Sequence, residues 1–126
     1  MSLVLDSGAL IALEKNDRAM WRRLKAALLA NSCPKSHGGI VGQAWRGGGP
    51  RQALLALALA GVEIRPLDEN LGRAAGSLLA ADRSADVIDA ALVLLADDGD
   101  DILTSDPEDL ESLAARLGRH VELLRV

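Results

Sequence analysis

Read for the spacing of apolar and polar positions, the chain divides into short apolar runs of strand length alternating with helical stretches. Residues 2–5 form the first such run, and it ends abruptly on Asp6. A helix is predicted over 8–14 and a second over 17–30, where Trp21, Leu24 and Leu28 recur at helical spacing. "NSCPKS" breaks the pattern and leaves room for a short strand. Further helices are expected over 39–46 and 50–60, separated by the glycines at 47–49, which a helix interior does not accommodate without loss of stability. Gly61 takes the place of a C-terminal cap, and "VEIRPL" alternates Val62 and Ile64 with polar neighbours as a strand does.

The second half repeats the alternation. Asp68 opens a helix running to about residue 81, and 86–96 is apolar on every side beyond its first turn, the pattern of a buried central helix. "DILTS" reads as a strand, 106–117 as a helix followed by Gly118, and "HVELLRV" as the last strand. No internal repeat is present. Strands alternating with helices predict an α/β fold, a three-layer α/β/α sandwich around a mostly parallel central sheet.

Composition narrows the function classes. At 126 residues the chain fits one domain, since domains commonly hold about 100–150 residues. It is 49% hydrophobic and 25% charged, as globular chains are, and it lacks Tyr and Phe altogether. Only Trp21 and Trp45 remain to stack on bases, which argues against an aromatic nucleic-acid platform. Cys33 is the single cysteine, so an intramolecular disulfide is impossible, and neither His37 nor His120 stands in a recognisable pairing with it. The N-terminus has no basic start and apolar core of a signal peptide, and the run 53–62 is short of the ~20 residues that span a bilayer. The expectation is a cytoplasmic protein with no membrane association.

Net charge is −4, unevenly spread. The first 66 residues carry nine Lys or Arg against four acids, and the remainder five against fourteen. Such polarity allows a basic face for an anion and an acidic cluster for a cation, or a solvated surface with no partner.

The acidic side chains recur at particular places. Asp6 and Asp106 follow the two most apolar strands, and in a parallel sheet all carboxyl ends lie on one edge, where ligands bind. Asp86 and Asp89 share a face in the first turn of the buried helix, and Asp109 follows Asp106 at the same spacing of three. Each has a local alternative. "DPED" is a strong helix start, with an N-cap acid, proline at the first position and acids in the first turn, while Asp6, Ser7 or Asp86 can also cap. Gathered together, however, up to five carboxylates repel one another and raise each other's pKa unless a cation lies among them. All-oxygen donors at that density suit Mg²⁺ or Mn²⁺ rather than zinc.

In this order and at these separations, "LVLDSGALIALE", "SADVIDAALVLLA" and "ILTSDPEDL" resemble the PIN domain, and within it the VapC-type toxins of bacterial toxin–antitoxin pairs. The likeness runs from Leu3 to the last strand, and the three motifs are specific only in combination. It implies an α/β/α fold and Mg²⁺- or Mn²⁺-dependent endoribonuclease activity, usually in a homodimer held inactive by a cognate antitoxin. By the same resemblance Asp6 is the first metal-binding acid, Asp106 the last, and Asp89, preceding Ala-Ala, the acid of the central helix. Asp86 and Asp109 become supporting ligands. Ser7, Thr104 and Ser105 are placed to hydrogen-bond around a cation, or to serve as caps and turn residues.

One position departs from the family pattern. Its second acid sits on the helix containing "IVGQAWRGG", where this chain has Gln43. An amide offers an oxygen without charge, so cation affinity should fall. Asp86 compensates, or the chain is a weakly active or inactive PIN-like module that binds RNA or protein. Candidate phosphate contacts are Arg46 and Arg51 beside "GGGP", with Arg18, Arg22 and Arg23 on the second helix; the alternative is solvated or antitoxin-facing surface. Trp45 can stack on a base, or join Trp21 in core or dimer contacts. A phosphotransfer domain with Asp6 as acceptor fits less well, because position 8 is glycine where such sites want a second acid.

Overall fold

The three apolar residues that precede Asp6 form a strand, β1 (Leu3–Leu5), at the centre of a five-stranded sheet in a computed structural model that describes residues 1–126. The other strands are β2 (Lys35–His37), β3 (Glu63–Arg65), β4 (Asp101–Thr104) and β5 (Glu122–Arg125), in the order β3-β2-β1-β4-β5. Every pairing is parallel. Burial on both faces explains why β1 and β4 carry no polar face: Val4, Leu5, Ile102 and Leu103 are fully enclosed.

Helices α1 (Ser7–Glu14), α2 (Arg18–Leu29) and α4 (Pro50–Leu59) form one layer, with α1 packed against both others. The opposite layer holds α5 (Glu69–Asp82), α6 (Val87–Leu94) and α7 (Pro107–Ala115), and α3 (Gly38–Ala44) touches both α1 and α6. This is the three-layer α/β/α arrangement that the alternation of strands and helices predicts. Ala90–Val93 of α6 are buried, as expected of a helix without a polar stripe. Asp17, Asp68 and Asp86 cap α2, α5 and α6, accepting from the backbone N–H groups of Met20, Leu71 and Asp89. No helix is long and apolar enough to cross a membrane.

Several boundaries differ from the sequence reading. Helix α3 ends at Ala44, because Trp45 turns extended and the next two amides leave the helix. Buried Gln52 takes both of them: its Oε1 accepts from Arg46 N–H at 2.7 Å and Gly47 N–H at 3.0 Å, while its Nε2 donates to Glu14. Gly61 is not a left-handed cap. Its small size matters instead, since a Cβ there would stand 3.0 Å from Leu28 Cδ1. The alternation of β3 does not appear as burial; as an edge strand it exposes all three residues.

At the amino edge of the sheet lies a feature that no periodicity announced. Lys35 is only 5% exposed, and its Nζ donates to Leu95 O at 2.9 Å, Asp97 at 3.1 Å and Asp100 at 3.0 Å. Burial pushes the Asp100 carboxyl up, yet the amides of Asp97 and Ser2 and the Lys35 ammonium outweigh it and hold Asp100 below the usual carboxylate range. The chain start, β2 and the turn before β4 are thereby tied together.

Candidate functional site

The strand order determines where a crevice can open. From β1 the chain first builds outward through β2 and β3, then returns to build β4 and β5 on β1's other side. The connections therefore part company between β1 and β4, and ligands of open α/β sheets bind at such a point beyond the carboxyl ends. Asp6 and Asp106 stand there.

Register brings them together. Leu5 pairs with Leu103, and the ladder continues through Asp6 N–H to Leu103 O at 3.0 Å. One residue on, the buried Thr104 hydroxyl donates to Asp6 Oδ2 at 2.6 Å and accepts from Asp106 N–H at 3.1 Å. The other Asp6 oxygen, Oδ1, accepts from Ser7 N–H at 2.7 Å. A single hydroxyl thus links the first acid to the backbone of the last. Gly8 makes the approach possible: a Cβ there would lie 2.8 Å from the Ser105 backbone nitrogen and 2.6 Å from its Oγ. Any larger residue would push α1 away from the loop that carries Asp106.

The hollow that results encloses about 180 Å³ and is lined by Asp6, Ser7, Gln43, Asp86, Asp89, Asp106, Asp109 and Leu110. Asp6 comes from the end of β1, Asp86 and Asp89 from the start of α6, and Asp106 and Asp109 from the start of α7. None of these five acids forms a salt bridge. Their mutual field falls on Asp89, whose pKa is pushed up to about 6, first by burial and then by Asp86, Asp6, Asp109 and Asp106.

Local capping accounts for some of these acids but not all. Asp86 caps α6 through Oδ1, so it divides its carboxylate between the helix and the hollow. Asp106, at the head of a seemingly ideal start motif, makes no side-chain cap bond to α7. Gln43 lines the same hollow from α3, in the place where the resemblance implies an acid. Ser105 Oγ lies 3.3 Å from Asp106 Oδ2, outside the lining. His37, unassigned in the sequence, is structural: Nδ1 accepts from Gly39 N–H, which leaves Nε2 to donate to Ile88 O at 3.0 Å. Burial lowers its pKa, against the opposing pull of Ile88 O and Asp6.

The arginines do not share the hollow. Arg46 folds back to donate to Gly42 O at 3.0 Å and Trp45 O at 2.7 Å, closing the end of α3. Arg51 is exposed, and Arg23 faces other surfaces. Arg18 and Arg22 instead join Lys25, Asn16, Trp21, Leu54 and Leu57 in a separate groove of about 440 Å³ between α2 and α4. Trp21 is anchored there by its Nε1, which donates to Leu13 O.

The donor set can be tested against a divalent ion. Its atoms are carboxylate, amide and hydroxyl oxygens only, the choice of hard cations such as Mg²⁺ and Mn²⁺. No three His, Cys, Asp or Glu side chains are gathered tightly enough to hold an ion directly among them. That spacing fits an ion that keeps several waters and takes one or two carboxylates, as Mg²⁺ commonly does, rather than a closed protein cage.

Fold and hollow together define an α/β/α protein with an acid-lined crevice at the switch point of a parallel sheet. Among solved structures, the chain is similar to one from VapBC2 of Rickettsia felis, crystallised bound to a DNA fragment from their promoter. The two share 12% sequence identity and a TM-score of 0.69, over 98% of each chain. At that identity the likeness speaks for the fold. No protein-family model matches the sequence, and no curated protein matches it.

Proposed function

We propose that the chain is a Mg²⁺- or Mn²⁺-dependent endoribonuclease, the toxin of a toxin–antitoxin pair, acting as a homodimer. The observation that carries this reading is the single hollow walled by five acids without a salt-bridge partner. The similarity in fold to a VapBC2 chain supports the toxin–antitoxin part.

In this reading one or two of Asp6, Asp89 and Asp106 would bind the cation directly and the others through its waters, with Asp86 and Asp109 adding charge around it. When bound, the cation supplies positive charge that polarises a phosphodiester and lowers the pKa of water. The chain's own residues do the positioning. Ser7 N–H and the Thr104 hydroxyl immobilise both oxygens of Asp6, so that carboxylate keeps its orientation as substrate arrives. Asp89 is raised by burial and by the surrounding acids, and an opposite charge in the hollow would offset both. Carboxylates in these roles bind and orient, and none forms a covalent intermediate.

The groove between α2 and α4 suits the antitoxin. Arg18, Arg22 and Lys25 follow one helical stripe, none is ion-paired, and Leu57 beside them is 65% exposed. A segment carrying both acids and apolar side chains complements that mixture better than a phosphate backbone does.

Gln43 favours a second reading, an inactive module that binds RNA without cutting it, since it brings no charge to the hollow. Incubating RNA with the protein in Mn²⁺, Mg²⁺ or EDTA separates the two. Cleavage that requires the cation, and that disappears in Asp6→Asn and Asp106→Asn while both variants stay folded, supports the nuclease. A cation-independent complex with intact RNA supports the module, and undiminished cleavage in either variant removes the assigned roles.

A further inference from the structure

We infer that Arg125, on the last strand, is a positioning residue for the acid hollow, clamping from outside the turn that presents Asp106. This rests on the cation-binding reading above. The turn from Ser105 to Glu108 leads out of β4 into α7 and carries Asp106. Asp106 adopts φ −129° and ψ 65°, outside the helix, and its carboxylate makes no cap bond to α7. A helix start that forgoes its side-chain cap needs other restraints on the turn, or the carboxylate wanders.

Two restraints are present, one on each side. On the inner side the Thr104 hydroxyl accepts Asp106 N–H. On the outer side β5 supplies the rest. Arg125 pairs in register with Thr104, and the following amide, Val126 N–H, donates to Thr104 O at 2.9 Å. The Arg125 guanidinium then reaches across the turn: Nη1 donates to Ser105 O at 2.8 Å and Nη2 contacts the Glu108 carboxylate. One planar fork therefore holds the backbone immediately before Asp106 and the side chain two residues after it. No other side chain donates to Ser105 O, and a lysine, with a point charge in place of the fork, would hold only part of this arrangement.

The consequence is that Asp106 stays free for the hollow without losing its orientation. As an exposed ion pair, Arg125 and Glu108 contribute little to overall stability, so the clamp's effect should be local. Its test uses the full chain with Arg125→Met, Arg125→Lys and Glu108→Gln. In EDTA, amide hydrogen exchange at Asp106 and Asp109 should be faster in Arg125→Met and unchanged within α6, with the melting temperature preserved. Calorimetric titration with Mn²⁺ should show affinity about tenfold weaker in Arg125→Met, the low end of what losing an outer hydrogen bond costs a metal site. Arg125→Lys should recover part of the loss, and Glu108→Gln should stay near wild type because the bond to Ser105 O survives. Unaltered exchange in Arg125→Met, or undiminished Mn²⁺ affinity, overturns the inference. A wild-type chain that takes up no Mn²⁺ overturns the cation reading instead, and the exchange measurement tells the two failures apart.

Discussion

Burial and the four acids around it raise the Asp89 pKa, and that has a measurable sign. Its pKa rises from 3.8 to about 6 on folding, so between those values the native state binds more protons than the unfolded chain. Stability contributed through Asp89 therefore falls as pH rises across that window and levels off above it. Urea unfolding in EDTA should show Asp89→Asn gaining on wild type from pH 3.8 to about 6 and holding its lead beyond. A constant gap would mean Asp89 titrates normally. Gln43 offers the complementary experiment. Gln43→Glu adds a charge to the lining, and Mn²⁺ binding by calorimetry should tighten about tenfold, because ligand charge count tunes affinity at oxygen sites. At this scale the sequence was informative where chemistry leaves a composition signal, as with aspartates ending apolar runs. It was silent on Gln52, whose only trace was a glycine turn rich in amides that need an acceptor.

Among the elements, α7 shows how a local rule can be correct in propensity and overridden in detail. "DPED" predicts a capped start, and the helix does start there with Pro107 at its first position, but Asp106 leaves the cap unmade. That omission forgoes about 1 kcal/mol of typical capping stability, and the register of β1 with β4 sets the turn instead, placing the Asp106 backbone N–H on the Thr104 hydroxyl that donates to Asp6. Strand β2 shows the reverse. "NSCPKS" reads as a break with room for a short strand, and the strand forms with Lys35 buried against Asp100. Lys35→Met should cost about 3 kcal/mol by urea unfolding, the low end for breaking a buried pair, since the Ser2 and Asp97 amides still serve Asp100. A loss well under 1 kcal/mol would show the pair to be dispensable. Periodicity located these elements because burial imposes it; it could not locate Lys35, because a paired buried charge leaves no periodic trace.

For the whole molecule, the uneven charge of the two halves does not become two opposed faces. Lys35 from the basic half lies among Asp97 and Asp100 of the acidic half, while Arg18, Arg22 and Lys25 stay together in the groove between α2 and α4. If the proposed function holds, reversing those three to glutamate should abolish co-purification with the proposed antitoxin while leaving the proposed cation-dependent RNA cleavage in place. Retained complex would move the antitoxin elsewhere. By itself the sequence determined the alternation of strands and helices, the parallel sheet and the acids that terminate its strands, because burial on two faces forces continuous apolar runs and polar residues collect where those runs end. Only tertiary structure decided that acids as far apart as Asp6 and Asp109 share one hollow, that Asp106 goes uncapped and that the arginines stand elsewhere. Strand order and register are set by long-range packing, and no local spacing encodes them.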